Sequence, residues 1–106
     1  MAQTNVLVVE DESIVSKDIQ QSLKKLGYNV VGAASTGELA VKLAIENSPD
    51  IILMDIMLKG EMTGIEAAIQ VRAETNIPVI FLTAYADEST LSKAKVTQPY
   101  GYIIKP

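Results

Sequence analysis

Acidic residues stand at the ends of two apolar segments of this chain, where a carboxylate could take part in chemistry. Residues 51–54 are four large apolar side chains that run directly into Asp55, and the apolar residues 6–9 run into the acidic residues 10–12. Such runs predict strands buried on both faces, as in a parallel sheet. Ligands of open α/β sheets bind beyond the carboxyl ends of the strands, which favours a functional role for Asp55. An Asp that merely opens a surface loop is the alternative, and the other strand ends decide between the two.

Two further predicted strands also end in side chains with functional groups. Thr83 follows the apolar residues 78–82 and Lys105 follows residues 100–104, whereas the segment 28–34 ends in small side chains without chemistry. The pattern predicts that 28–34 is an edge strand. It also predicts that the ends of the other four strands form a shared functional edge.

The combination of carboxylates, a hydroxyl and a lysine indicates phosphoryl transfer. Two or three carboxylates about 4 Å apart repel by roughly 4 kcal/mol per pair at an effective dielectric near 20, so they require protons or a cation. Oxygen ligands without histidine or cysteine favour a hard ion, and Mg²⁺ is typically held by one or two carboxylates with phosphate oxygens and water. With Lys105 as a mobile charge and Thr83 as a hydroxyl donor, the set is typical of transfer to a carboxylate nucleophile.

Each of these residues taken alone has an ordinary structural interpretation. A lysine after a strand is commonly a solvated surface residue, and a threonine there can cap the strand end. Tyr102 can be a core aromatic, Glu12 an acid at the start of a helix, and Met57 a loop filler. Only the arrangement at successive strand ends favours the functional interpretation.

The composition excludes several other kinds of site. The chain has 13 acidic and 9 basic residues and a formal net charge of −4, so no basic patch is available for nucleic-acid binding. It has no cysteine and no histidine, which excludes disulfides, thiolate or imidazole zinc sites and Ser-His-Asp catalysis. Neither a signal peptide nor an apolar run of bilayer-spanning length is visible, so we expect a cytoplasmic domain without membrane contact.

Helical periodicity separates the predicted strands. A first helix is predicted to end at Gly27, a second to begin at the capping-box pair Ser35 and Glu38, and a third at the pair Thr63 and Glu66. A short fourth helix is predicted over residues 87–96. The predicted apolar stripes are Ile14, Val15, Ile19, Leu23 and Leu26 on the first helix, Leu39, Ala40, Leu43 and Ala44 on the second, and Ile65, Ala68, Ile69 and Arg72 on the third.

Strands that alternate with helices predict an α/β fold. Right-handed βαβ units give a doubly wound, five-stranded parallel sheet with helices on both faces. The segment 1–106 contains no repeat, linker or low-complexity stretch. We therefore expect it to form one domain.

The functional residues, taken in order, closely resemble the receiver domain of two-component response regulators. The matching positions are Glu10-Asp11, Asp55, Thr83-Ala84 and residues 102–106, and the resemblance covers nearly the whole chain. It implies the flavodoxin-like strand order 2-1-3-4-5. Because the family has a fifth helix after the Lys-Pro pair, it also implies a receiver domain truncated after its fifth strand.

The resemblance assigns a phosphorylation site and a metal site. Asp55 would accept a phosphoryl group from a sensor histidine kinase or a phosphotransfer domain, as part of a phosphorelay. The implied Mg²⁺ ligands are Glu10, Asp11, Asp55 and the backbone carbonyl of Met57.

The resemblance also implies a phosphorylation-controlled switch rather than an enzyme that acts on other substrates. Lys105 would contact the phosphoryl group, Thr83 would move to bond it, and Tyr102 would swing inward. An output partner or domain would read this change. Catalysis would be confined to the domain's own phosphorylation and dephosphorylation, through Asp55, Thr83 and Lys105.

Two positions depart from the family pattern. Lys59 stands where receivers usually carry proline, and Gly64, which opens the third helix, is one residue later than usual. Both changes reshape the loop after Asp55 and bear on partner recognition at that side.

Two other functional classes stay open at this point. One is a small Mg²⁺-dependent phosphatase of the same fold, which needs a substrate pocket and a general acid. The other is a pseudo-receiver that serves only as a docking module. We also expect self-association through apolar surface that a fifth helix would otherwise cover.

Overall fold

Strands and helices alternate along the part of the chain that the computed structural model describes, residues 4–56, 58, 60–83 and 101–104. For Thr83 and residues 101–104 it describes the backbone alone. The elements are β1 (Asn5–Val9), α1 (Ser13–Lys25), β2 (Asn29–Ala34), α2 (Gly37–Asn47), β3 (Ile51–Asp55), α3 (Gly64–Glu74), β4 (Val79–Thr83) and β5 (Gly101–Ile104). The predicted fourth helix, 87–96, lies outside the described residues.

The five strands are all parallel and follow the order β2-β1-β3-β4-β5, as the resemblance implied. β1 lies beside β3, with Val9 opposite Met54, and β2 is an edge strand, as predicted. An extra residue in β2, Val31, shifts its register against β1. Since every strand runs the same way, the C-terminal ends of β1, β3 and β4 lie along one edge of the sheet.

Strand side chains alternate between two apolar layers. The layer on the side of α2 and α3 contains Leu7, Val9, Ala34, Ala40, Ala44, Ile52, Met54, Ile56, Leu58, Ala67, Ala68, Val71, Val79 and Phe81. The layer on the other side contains Val6, Val8, Leu53 and Leu82, with Ile19 and Leu23 packed against it. Burying each large side chain contributes roughly 1.5–3 kcal/mol. The central strands are thus buried on both faces, as their apolar runs predicted.

The start of α3 is fixed by the predicted capping box. The Thr63 hydroxyl accepts a hydrogen bond from the Glu66 N–H at 3.1 Å. The Glu66 carboxylate in turn accepts from the Thr63 N–H at 3.0 Å. Both arms are present, so two N–H groups that the helix leaves without a partner are satisfied.

The capping box predicted for α2 is wrong. Its N-cap is Thr36, whose hydroxyl accepts from the Leu39 N–H at 3.2 Å. A cap must directly precede the first helical residue, which is Gly37, and Ser35 lies one residue too early. The helix ends at Asn47, and Ser48 follows in a left-handed conformation.

The predicted apolar stripe of α1 is partly wrong. Ile14 is 82% exposed and Leu26 is 74% exposed, whereas Ile19 and Leu23 pack on the sheet. Leu26 follows the last helical residue and so leaves the buried face. Ile14 lies about 100° around the helix from Val15, outside the narrow stripe that faces the sheet.

The predicted face of α3 is also shifted. The buried residues are Gly64, Ala67, Ala68 and Val71, whereas Ile69 is 49% exposed and Arg72 is exposed. The stripe of small residues lets α3 pack closely beside α2, and its buried residues share one core cluster with Ile52 and Met54 of the sheet. Close packing between helices therefore outweighed the hydrophobicity of Ile69 in setting the rotation of α3.

An apolar groove of about 410 Å³ opens on the α1 side of the sheet, around the N-terminal ends of the strands. It is lined by Thr4, Val6, Leu23, Tyr28, Ile51, Leu53 and Ile80. Within the described ranges, no helix has both the length and the apolar character required to cross a membrane.

Candidate functional site

Asp55 is the last residue of β3, and its side chain is 4% exposed. The register places it beside Leu82 of β4. Beyond it, the Ile56 N–H donates to the Leu82 carbonyl at 3.1 Å, and the Ile56 side chain is buried in the core. The carboxylate is therefore held by the sheet, which excludes the alternative of an Asp at the start of an exposed loop.

Glu10 directly follows β1, the strand next to β3. Its N–H donates to the Ala34 carbonyl at 3.0 Å, and its side chain is 2% exposed. Its Oε2 accepts a hydrogen bond from the Glu12 N–H at 3.2 Å, which ties the carboxylate to the start of α1. Glu12 itself is exposed and makes no side-chain capping bond. It orients Glu10 through its backbone.

Three carboxylates meet at this edge of the sheet. One oxygen from each of Glu10, Asp11 and Asp55 lies within 4.8 Å of the other two, and Asp11 is half-buried. At about 4 Å, two such charges repel by roughly 4 kcal/mol at an effective dielectric of 20. A divalent ion with oxygen ligands removes this repulsion, and an all-carboxylate donor set suits Mg²⁺. The residues present therefore fit the metal that the sequence predicted.

Gly64 packs directly against the backbone of Asp55. A Cβ at this position would collide with the Asp55 carbonyl oxygen and would lie 2.9 Å from the Cα of Ile56. The Gly64 N–H donates to the Ile56 carbonyl at 3.0 Å. The first residue of α3 thus closes the loop that leaves the site. Sequence reasoning noted the unusual position of Gly64 but had no signal for this contact, since glycine is common wherever chains turn.

The loop between β3 and α3 is more buried than a solvent-exposed connection. Ile56 and Leu58 belong to the core, and Met62 packs partly buried against it. This explains why the segment after Asp55 is so apolar in sequence.

A cavity of about 220 Å³ also opens beside the acidic cluster, lined by Glu10, Asp11, Ser13, Ser16, Lys17, Gln20, Ala33, Ala34 and Ser35.

The other predicted site residues fall at the same edge or outside the described residues. The backbone of Thr83 ends β4, one residue beyond the partner of Asp55, and pairs with Ile104 of β5. Tyr102 pairs with Phe81. The side chains of Thr83 and Tyr102, together with all of Met57 and Lys105, lie outside the described part of the chain.

Comparison with known proteins decides the family. The model of the response regulator receiver domain family matches residues 6–106. The chain is a response regulator receiver domain. The transcriptional regulatory protein PdtaR of Mycobacterium tuberculosis is 33% identical to it over 101 residues, which cover 95% of this chain and 49% of PdtaR. This receiver domain therefore spans about half the length of that regulator.

Solved structures have the same architecture. The signal receiver domain of a modulated diguanylate cyclase from Desulfovibrio desulfuricans is 41% identical, with a TM-score of 0.92, and the match covers 99% of this chain and 83% of that one. A chain of the CheX-CheY-BeF3-Mg complex from Borrelia burgdorferi is 27% identical, with a TM-score of 0.89, covering 97% of this chain and 78% of that one. The fold and the family are consistent with phosphorylation-controlled switching.

Proposed function

We propose that this receiver domain accepts a phosphoryl group on Asp55 and changes conformation in response. The observation that carries the proposal is the convergence of Glu10, Asp11 and Asp55 within 4.8 Å at the C-terminal edge of the sheet. The donor would be the phosphohistidine of a sensor histidine kinase or of a phosphotransfer domain. The proposal places the domain in the cytoplasm, with a partner or output domain as the reader of its state.

The chemical step is a displacement at phosphorus. A carboxylate oxygen of Asp55 attacks the phosphorus, the P–N bond to the donor imidazole breaks, and the imidazole leaves with the electron pair and takes a proton from solvent. Burial at the end of a rigid strand holds Asp55 at a fixed position, which lowers the entropic cost of the reaction. Hydrolysis reverses the modification when water attacks the phosphorus and the P–O bond to Asp55 breaks.

The acidic residues at the end of β1 would hold the metal. Glu10 and Asp11 would bind Mg²⁺ with Asp55, and the carbonyl of Met57 is the proposed fourth protein ligand. Bound Mg²⁺ would neutralise the negative charge that accumulates on the phosphoryl oxygens. Lys105 would add a positive charge to the same group.

The switch would follow from the new charge on Asp55. Thr83 would bond a phosphoryl oxygen, and its displacement would open space for Tyr102. The Thr83→Ala variant should still be phosphorylated on Asp55, although more slowly because it lacks the hydroxyl that bonds the phosphoryl group, and the change at Tyr102 should be abolished. NMR of tyrosine-labelled protein, with a Tyr102→Phe variant to assign the signal, would measure it. A Tyr102 signal that shifts equally on phosphorylation in the unmodified domain and in the Thr83→Ala variant would contradict this role of Thr83.

A small phosphodonor such as acetyl phosphate tests the proposed function. Intact-mass measurement should show one labile phosphoryl adduct with Mg²⁺ and much less with EDTA. The Asp55→Asn variant should show none, whereas Asp11→Asn should form the adduct slowly and need more Mg²⁺. Asp18→Asn is the matched control, because Asp18 is an exposed acid on α1 outside the cluster.

The same assay separates the competing functions. A docking module would form no adduct in the unmodified chain. A phosphatase would turn over the phosphodonor without retaining the phosphoryl group. Peptide mapping that placed the group on a residue other than Asp55 would overturn the proposal.

A further inference from the structure

The loop that leaves the site at Asp55 contacts a second glycine, far from it in sequence. Gly37 is the first residue of α2 and is buried. A Cβ at Gly37 would lie 2.8 Å from Cγ, 3.0 Å from Cβ and 3.0 Å from Sδ of Met62. Met62 therefore occupies the space that any other residue at position 37 would fill.

The backbone does not require glycine at position 37. The glycines with positive φ in the described residues are Gly27 and Gly60, so Gly37 has a conformation that other residues adopt. Alanine is moreover the better helix former. The contact with Met62 is what excludes a side chain here.

Met62 cannot escape an added methyl group by a rotamer change alone. One of the atoms it brings against Gly37 is its Cβ, whose position is set by the backbone of the loop. Its side chain also packs partly buried against the core. Displacing Met62 must therefore move the loop or the start of α2.

We propose that Met62 and Gly37 form a latch that positions the loop between Asp55 and Gly64. The loop is held at its start by the Ile56–Leu82 hydrogen bond and at its end by the Gly64–Ile56 bond. The latch anchors the part of the loop around Met62 to the start of α2. Met62 and Gly37 are thus positioning residues for the site. We also expect the latch to affect Mg²⁺ binding. This expectation rests on the proposed function, in which the carbonyl of Met57, on this loop, is a metal ligand.

Amide exchange measures the latch without any ligand. In Gly37→Ala, the Gly64 N–H should exchange at least about tenfold faster, because its bond to Ile56 opens locally. Core amides of β1 and β3 should change much less. Met62→Ala alone should also speed Gly64 exchange, because it removes the Cγ and Sδ atoms that contact Gly37. In the double variant Gly37→Ala/Met62→Ala, the increase in rate should be smaller than the product of the two single increases, as expected for coupled residues.

Gly32→Ala is the matched control for the glycine substitution. A Cβ at Gly32 would meet the Leu7 Cδ1 at 3.3 Å, the end of a flexible side chain. Its three nearest neighbours are side-chain atoms of Leu7, Asn47 and Leu43, none of which belongs to the loop. This variant should leave Gly64 exchange unchanged relative to the core amides. Titration calorimetry with MgCl₂ alone should show about tenfold weaker Mg²⁺ binding for Gly37→Ala and unchanged binding for Gly32→Ala.

The outcomes separate the latch from the proposed function. If Gly64 exchange in Gly37→Ala rises only as much as that of the core amides, or if the two single increases simply multiply in the double variant, the latch is overturned. If Gly64 opens but Mg²⁺ affinity stays unchanged, its positioning role is overturned. If the unmodified chain binds no Mg²⁺ while the exchange results hold, the proposed function fails and the latch stands.

Discussion

The Gly64 N–H donates to the Ile56 carbonyl at 3.0 Å, which brings the first residue of α3 onto the residue that follows Asp55. The approach is so close that a Cβ at Gly64 would strike the Asp55 carbonyl oxygen. The start of a helix and the end of a buried strand therefore define the position of the central carboxylate together. Its place in the site depends on a glycine that contributes no functional group.

Substitution of Gly64 with alanine should destabilise the domain and disable the site. The added methyl group must displace backbone rather than a flexible side chain, and overpacking of this kind costs about 3 kcal/mol. Urea denaturation would measure the loss, and phosphorylation by acetyl phosphate should fall in parallel. Gly32→Ala, which meets only side-chain atoms, should cost much less. Equal losses of stability in Gly64→Ala and Gly32→Ala would contradict the conclusion that the backbone of Asp55 leaves no room for a side chain at position 64.

Removal of the Asp55 charge should stabilise the metal-free domain. Asp55 shares a cluster with Glu10 and Asp11, and relief of the repulsion should raise the free energy of unfolding of Asp55→Asn by about 1–3 kcal/mol in EDTA. Saturating Mg²⁺ should reduce the difference in unfolding free energy between Asp55→Asn and the unmodified domain. Binding at a hundredfold excess over Kd stabilises the unmodified domain by about 2.7 kcal/mol. Asp18→Asn should show neither effect. An Asp55→Asn variant that is less stable in EDTA would refute the repulsion argument.

The two arms of the capping box at α3 should be energetically coupled. Thr63→Ala should cost about 1 kcal/mol of stability. The double variant Thr63→Ala/Glu66→Ala should cost less than the sum of the single changes, because both arms serve the same helix start. Glu66→Gln is the control, since its amide oxygen can still accept from the Thr63 N–H. Strict additivity in urea denaturation would show that the arms act independently.

Self-association should follow from the apolar groove on the α1 side of the sheet. Exposed apolar surface of this kind favours contact between copies. Sedimentation velocity over a concentration series should show association, and Ile80→Thr, inside the groove, should reduce it. Ile69→Thr is the control, because Ile69 is a half-exposed apolar residue on α3, on the other side of the sheet. A single monomeric species at every concentration would rule out this prediction.

The sequence alone determined the fold and the edge at which the acidic residues meet. Apolar runs that are buried on both faces predict central parallel strands, and parallel strands bring their C-terminal ends together whatever the helices between them do. The order of elements therefore predicted that Glu10, Asp11 and Asp55 lie at one edge of the sheet. The adjacency of β1 and β3, which brings them together, was implied only by the resemblance to receiver domains. The Thr63 cap was predictable for a similar reason, because its contacts are local in sequence.

Only the tertiary structure decided which helix faces are buried and which glycines matter. Ile14 and Ile69 look like core residues, but the rotation of a helix depends on the shape of the surface that it packs against. The contacts of Gly64 with Asp55 and of Gly37 with Met62 join segments that no local pattern relates. Close approach between backbone and side chains is set by packing distances of a few tenths of an ångström. A pattern of residue types carries no information at that scale.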